Sequence, residues 1–305
     1  MNKNKQRFEH KSKDYKDIRE YKVNQECELL EFLFLTLKDQ SRNSVKSLLS
    51  NHRIAVDGAP ISQFNFKLFP GDTVIISKNP IHRKTRSNLP IIFENDELIV
   101  INKPSGLLSI ASDKEKGSTA YRMLTEYVQQ KDKHNRVFVV HRLDEDTSGV
   151  LMVVKNPKIQ AALQDHWNVI VSKRGYYAIV VGHMKEANGT IKSYLKKNAQ
   201  NMMYSSKKAG DGQLAITHFK VIDEIEGYSL LDVHIDSGRK NQIRVHLGDL
   251  GHHVIGDDKY GNPSNPIKRL GLHAYELEFK HPLTGKVMKF TAPVPKEFKT
   301  LFPKM

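Results

Sequence analysis

The stretch Arg136–Lys155, R-V-F-V-V-H-R-L-D-E-D-T-S-G-V-L-M-V-V-K, sets two apolar runs, Val137–Val140 and Val150–Val154, around nine residues from His141 to Gly149. Short apolar runs rich in β-branched residues and bounded by polar ones predict buried strands. A loop carrying His141, Arg142, Asp144, Glu145, Asp146, Thr147 and Ser148 on so rigid a mount is where chemistry-bearing side chains belong. Asp144, Asp146, Ser148 and Gly149 match the first positions of a calcium-binding loop, but the twelfth position must be a bidentate Glu and is Lys155. A serine nucleophile at Ser148 would need the G-x-S-x-G elbow, and the chain reads D-T-S-G-V. Two readings stay open on residue types alone. One is a loop whose Asp and Ser cap backbone groups. The other is a nucleophilic or basic carboxylate at Asp144, beside cations that hold an anionic substrate.

Outward from this loop, strand-like segments recur. Ala215–Val221 and Tyr228–Ile235 alternate around a Glu226-Gly227 turn, and Leu272–Phe279 and Val287–Thr291 flank Pro282-x-x-Gly285. The 305 residues are 39% apolar, about 45% with the 18 glycines, at the lower edge of the ~45–50% usual for globular chains. That is enough to build real cores and argues against disorder. No apolar run approaches the ~20 residues of a membrane span, and the N-terminus lacks the apolar core of a secretory signal. Cys27 is the one cysteine, so a disulfide framework and a multi-cysteine zinc site are excluded, and a cytoplasmic location is expected. The net charge of +14 points to a polyanionic partner, with simple solubility as the plainer reading.

Residues 1–22 hold eight Lys or Arg and four acidic residues without apolar periodicity, and read as a basic tail. A small domain is expected over 23–80. Leu29, Leu30, Leu33 and Leu37 recur at helical spacing, and Ser41 is placed to cap a second helix with Val45, Leu48 and Leu49 inward. A strand Ile54–Val56 closed by Asp57-Gly58, and a Pro70-Gly71-Asp72 turn before Thr73–Ile76, complete it. Arg42 and Lys46 sit early in the second helix, where the dipole disfavours cations unless a phosphate binds there. With its Ser-Arg helix start, V-x-D-G-type turn and P-G-D-x-V-x-I ending, the segment resembles the αL RNA-binding domain named after a small-subunit ribosomal protein. That resemblance implies that Arg42 and Lys46 contact RNA. Residues 81–90, with His82, Arg83, Lys84 and Arg86, are read as a linker, and 91–305 as the catalytic domain.

The string H-R-L-D-E-D-T-S-G resembles the signature of the RluA-type pseudouridine synthases, of which the RluD-like members carry an αL-type domain. Further segments follow in the family's order: Asn102-Lys103-Pro104-Ser105-Gly106-Leu107, Tyr176-Tyr177-Ala178-Ile179-Val180-Val181-Gly182, Gly238–Leu247, Gly256-Asp257 with Tyr260-Gly261, and Leu272-His273-Ala274 before His281-Pro282. One departure is Asn241, which stands where a His is common before Gln-Ile-Arg, and the role of that position is left open. The resemblance implies an α+β catalytic domain with a central mixed, mostly antiparallel sheet. It implies isomerisation of uridine to pseudouridine in structured RNA by Asp144. Tyr176 would stack on the uracil, Arg244 would pair with the aspartate, and Arg142 would help fill the vacated base stack. Neither cofactor nor metal is expected, and a monomer is. Large-subunit ribosomal RNA is the favoured target. A tRNA substrate and a non-catalytic RNA-binding assembly factor are the alternatives.

Overall fold

A computed structural model of the chain describes residues 18–79, 81, 89–111, 118–261 and 264–305. They fall into two compact units divided between Arg86 and Ser87. In the first unit, β1 (Ile18–Lys22) and β2 (Cys27–Glu28) precede α1 (Leu29–Thr36) and α2 (Arg42–Ser50). Then come β3 (Ile54–Val56), β4 (Ala59–Pro60), β5 (Lys67–Leu68) and β6 (Thr73–Ser77). The i, i+3, i+4 spacing of the two helices brings Leu29, Leu33, Val45 and Leu49 into one core with Ile54, Val56 and Val74. Ser41 caps α2 as expected, its hydroxyl accepting from the Ser44 N–H at 3.2 Å.

The expected tail of residues 1–22 ends sooner. Residues Ile18–Lys22 pair antiparallel with Thr73–Ser77, because the ladder needs only backbone groups and leaves the charged side chains at the surface. Residues 1–17 lie outside the described residues, as does the expected linker except for Ile81, Leu89 and Pro90.

In the second unit, β7 (Ile91–Glu94), β8 (Leu98–Lys103), α3 (Ala120–Gln129), β9 (Phe138–Val139) and β10 (Ser148–Val154) come first. Next are α4 (Pro157–Asp165), α5 (Trp167–Ile170), β11 (Val171–Val181), β12 (Asn188–Lys197), β13 (Met203–Ser206) and β14 (Gln213–Ile225). The unit closes with β15 (Tyr228–Ile235), α6 (Gln242–Asp249), β16 (Leu272–Lys280), β17 (Val287–Thr291) and α7 (Lys296–Leu301). Among the described residues these strands form one eleven-stranded sheet, whose main path runs β13-β12-β14-β15-β11-β16-β10-β8-β7. Every pairing is antiparallel except β10 with β16. The architecture is therefore α+β with a mixed, mostly antiparallel sheet.

The parallel pairing is short, Ser148 opposite His273 and Gly149 opposite Ala274, and it lies at the exit of the polar loop. Gly149 has φ +118° and its missing Cβ would run into the Ala274 carbonyl, so only glycine lets the two strands close here. This corrects the expected strand boundaries. The second apolar run extends back through Ser148 and Gly149, and the first shrinks to Phe138–Val139. Backbone pairing with β16 draws two polar-looking residues into the strand and shortens the loop.

Candidate active site

Three loops meet at the end of β10. The loop between β9 and β10 carries Arg142 and Asp144. Behind it, the turn following β8 holds it by its backbone. Lys103, fully buried, donates from Nζ to the carbonyls of Pro104 (2.9 Å), Leu107 (2.6 Å) and Glu145 (2.8 Å). Ser105 donates to the Asp146 carbonyl at 2.6 Å, and the Gly106 N–H to that of Glu145 at 3.1 Å. Ser109 donates to the Leu143 carbonyl and accepts from the Leu143 N–H, at 2.7 and 3.1 Å. At the loop's entrance, His141 Nε2 accepts from the Met152 N–H at 3.0 Å while its ring stacks on Trp167. Burial pushes this imidazole down to about 3, so it is neutral and able to accept. At the exit, Arg269 donates to the Ser148 hydroxyl at 2.6 Å, and Ser148 is 2.8 Å from His273 Nδ1.

The third loop leads into α6. Gln242 is buried with all its bonds made. Its oxygen accepts from the Ser237 hydroxyl and the Arg239 N–H, and its nitrogen donates to the Ile216 carbonyl and the Thr217 hydroxyl. His246, one turn on, lies within 2.9 Å of both the Ser193 and Thr217 hydroxyls. These bonds fasten the helix to the sheet and fix the two residues that face Asp144. Asn241 sits in the left-handed region at φ 55°, a conformation Asn tolerates. With its amide nitrogen toward the carboxylate, it donates to both Asp144 oxygens at 3.1 and 2.9 Å, while its oxygen accepts from the Tyr260 hydroxyl at 2.8 Å. That orientation gives every polar atom a matching partner.

Arg244 lies almost fully buried, with Nη1 3.9 Å from Asp144 Oδ2. Its bidentate partner is another carboxylate. Nε and Nη2 donate to Asp257 at 2.7 and 2.5 Å, and its guanidinium lies 5.2 Å from the Tyr260 ring centre. Burial works against ionisation of Asp257. The bonds and charge of Arg244 and the N–H groups of Tyr260 and Lys259 outweigh it and hold this carboxyl below its ordinary value. Asp257 thus locks Arg244 in place, and the face of Arg244 that remains is turned to Asp144.

Burial raises the Asp144 carboxyl above its ordinary value, against the charge of Arg244, a backbone hydrogen bond from Asn241 and the charges of Lys240 and Lys259. A quarter of its side chain stays open to solvent, so it is reachable. Tyr176, half-buried on β11, packs against apolar groups on both flanks of the site. Burial lifts its hydroxyl to about 12, with the Asp144 charge adding to the shift, so the phenol is neutral. Arg142 is exposed and lines a cleft beside the site. The structure therefore gathers Asp144, Arg244, Tyr176 and Arg142 in one unit. Arg42 and Lys46, both exposed, belong to the other unit, with Arg42 over the Phe34 ring.

The pairing expected for Arg244 needs one correction: its main partner is Asp257, and its contact with Asp144 is the longer one. Asn241, Asp257, Tyr260 and Lys103 are side chains of the candidate site whose contacts the sequence did not disclose. All four stand in the quoted motifs, which was the available signal. Among the described residues, no group of three His, Cys, Asp or Glu is arranged to hold a metal ion, and no helix is long and apolar enough to cross a membrane.

Residues 97–249 match the family model described as RNA pseudouridylate synthase. An uncharacterized RNA pseudouridine synthase of Bacillus subtilis, YlyB, is 33% identical over 285 residues, 88% of this chain and 91% of that protein. The ribosomal large subunit pseudouridine synthase D of Neisseria meningitidis serogroup B is 30% identical over 86% of this chain and 74% of its own. Among solved structures, human RNA pseudouridylate synthase domain containing 1 aligns with a TM-score of 0.56 and 25% identity, covering 68% of this chain and 84% of that one. Similarity over most of the chain, with a loop that presents a clamped carboxylate, identifies it as a member of the RluA-type family of RNA pseudouridylate synthases, isomerases that convert uridine to pseudouridine in RNA.

Proposed function

We propose that this protein isomerises specific uridines of large-subunit ribosomal RNA and that Asp144 is its catalytic residue. The observation that carries the assignment is the clamp on Asp144, in which both oxygens receive the Asn241 amide and Arg244 stands beside them without being spent on them. A carboxylate oriented in this way is ready to act on the sugar or the base. The reaction breaks the N1–C1′ bond and forms a C5–C1′ bond, then releases the C5 proton and protonates N1. It needs no redox partner. Tyr176 offers a neutral ring on which the uracil stacks, and Arg244 keeps Asp144 charged when RNA excludes water. The uridine must first leave its stack, which costs a few kcal/mol, and Arg142 beside Asp144 fills the gap. The ribosomal target is supported by the relatives named for the large ribosomal subunit and by the net charge of +14. In the first unit, Arg42 and Lys46 of the αL-type fold serve as an RNA anchor.

The test compares wild type and Asp144→Asn on large-subunit ribosomal RNA transcripts carrying tritium at uridine C5. The variant keeps its shape but loses the anionic oxygen, and tritium release falls by about 10²–10⁴-fold. Activity within tenfold of wild type overturns the assignment of Asp144. Release from tRNA but not from the ribosomal transcripts overturns the target.

A further inference from the structure

Beside Asp144 lies a cleft of about 430 Å³. Its walls are Arg142 from the catalytic loop, Lys196 and Lys197 from the end of β12, and Arg239 and Lys240 from the loop before α6. No carboxylate lines it. Gly212 and Gly238 leave bare backbone in the wall, and at Gly212 (φ +126°) a Cβ would come within 2.7 Å of the Leu195 carbonyl. Among the described residues, Arg142, Lys197, Arg239 and Lys240 make no salt bridge. Arg239 commits only Nε, to the Leu214 carbonyl at 3.1 Å.

Five cations around one cleft sum to a positive potential that favours the entry of an anion. Lys196 alone is already engaged. It donates to Asp211 Oδ1 at 2.6 Å and lies over the Tyr204 ring, and both members of the ion pair are about one-third exposed. An exposed pair of this kind is weak and exchangeable. The cleft is joined to the catalytic carboxylate at two points. Arg142 precedes Asp144 by two residues, and Lys240 precedes Asn241, which holds Asp144. A nucleotide whose base reaches Asp144 therefore carries its own phosphates to this cleft.

Building on the reading of an RNA isomerase, we propose that the cleft between Arg142, the β12–β14 hairpin and the α6 loop binds the phosphodiesters flanking the target uridine, with Asp211 occupying Lys196 until a phosphate displaces it. The cleft fixes the strand by charge and leaves base recognition to Tyr176 and Asp144. Asp211 keeps Lys196 ordered in the free enzyme at the expense of affinity.

Equilibrium binding to a large-subunit ribosomal RNA transcript, titrated at several salt concentrations, decides it. Lys197 and Lys240 are both exposed, so a Lys197→Gln/Lys240→Gln double variant leaves the core untouched. Each lost phosphate contact flattens the slope of log K against log salt by roughly 0.7–0.9, so the double variant flattens it by about 1.4–1.8. Lys197→Arg/Lys240→Arg restores the slope. Asp211→Asn tightens binding severalfold, and the gain vanishes in a Lys196→Gln background. An unchanged slope in the Gln double variant overturns the cleft as a phosphate site. A gain from Asp211→Asn that survives Lys196→Gln overturns the displacement of Asp211. The proposed function fails separately, if wild type releases no tritium from that transcript, and the slopes decide the cleft in either case.

Discussion

Asp144 is poised between two opposing effects: burial favours its neutral acid, while the Asn241 amide and the nearby cations favour the carboxylate. With Asp144 as the proposed catalytic carboxylate, activity is lost as pH falls through its pKa, and the acid limb of kcat/KM reports this balance. Asn241→Gly keeps the left-handed backbone without strain but removes both amide donors. The charged form is then less favoured, and the acid limb moves to higher pH. Asn241→Asp moves it further, because a second negative charge is set against the first. Tritium release measured from pH 5 to 9 checks both, and an acid limb in the wild-type position for Asn241→Gly would exclude the clamp. At Tyr176 the ring and the hydroxyl separate cleanly. Tyr176→Phe keeps RNA affinity, whereas Tyr176→Ala weakens it by ~1–3 kcal/mol, read by titration. The H-R-L-D string announces Asp144, and its neighbours do not announce their contacts. Asp257 and Tyr260 meet Arg244 and Asn241 across 13 and 19 positions of chain, and only the turn after α6 brings them back.

At the scale of elements, the loop that carries Asp144 owes its shape to the turn after β8. Lys103 stands opposite Gly149 in the β8–β10 ladder and satisfies three carbonyls of the two loops. Burial lowers its ammonium to about 7. Lys103→Met takes the donor from the Pro104 and Leu107 carbonyls and leaves Glu145 only the Gly106 N–H, and stability to urea falls by about 1–3 kcal/mol. The wild-type Lys binds its proton less tightly folded than unfolded. From about pH 7 toward the ordinary Lys range the unfolded chain therefore holds more protons, and wild-type stability rises with pH. Lys103→Met lacks this rise, so the gap between the two proteins widens from pH 7 to pH 9. A gap constant with pH would contradict a depressed Lys103 pKa. Elements with strong periodicity, such as α2 and β15, were legible in the chain. Those carried by backbone alone were not: Ile18–Lys22 reads as a charged tail, and Ser148-Gly149 reads as loop until β16 supplies its partner.

At the scale of the molecule, each of the two units has its own buried core, one built from Leu29, Leu33, Val45 and Leu49 and the other distributed across the faces of the eleven-stranded sheet. A unit with its own core folds without its neighbour. Deleting residues 1–86 removes Arg42, Lys46 and the basic N-terminal stretch but none of the side chains around Asp144. The remaining chain unfolds cooperatively and releases tritium from a short saturating RNA at a rate close to that of the full chain. Its affinity for a full-length large-subunit transcript falls, because affinity for RNA is summed over phosphate contacts. Losing three or four of them flattens the slope of log K against log salt by about 2–4, well above the error of a titration. The same slope and the same affinity in the truncated protein would mean that the first unit makes no contact with this RNA. The catalytic unit alone would then choose its uridine, and the cations beside Asp144 would carry the whole salt dependence.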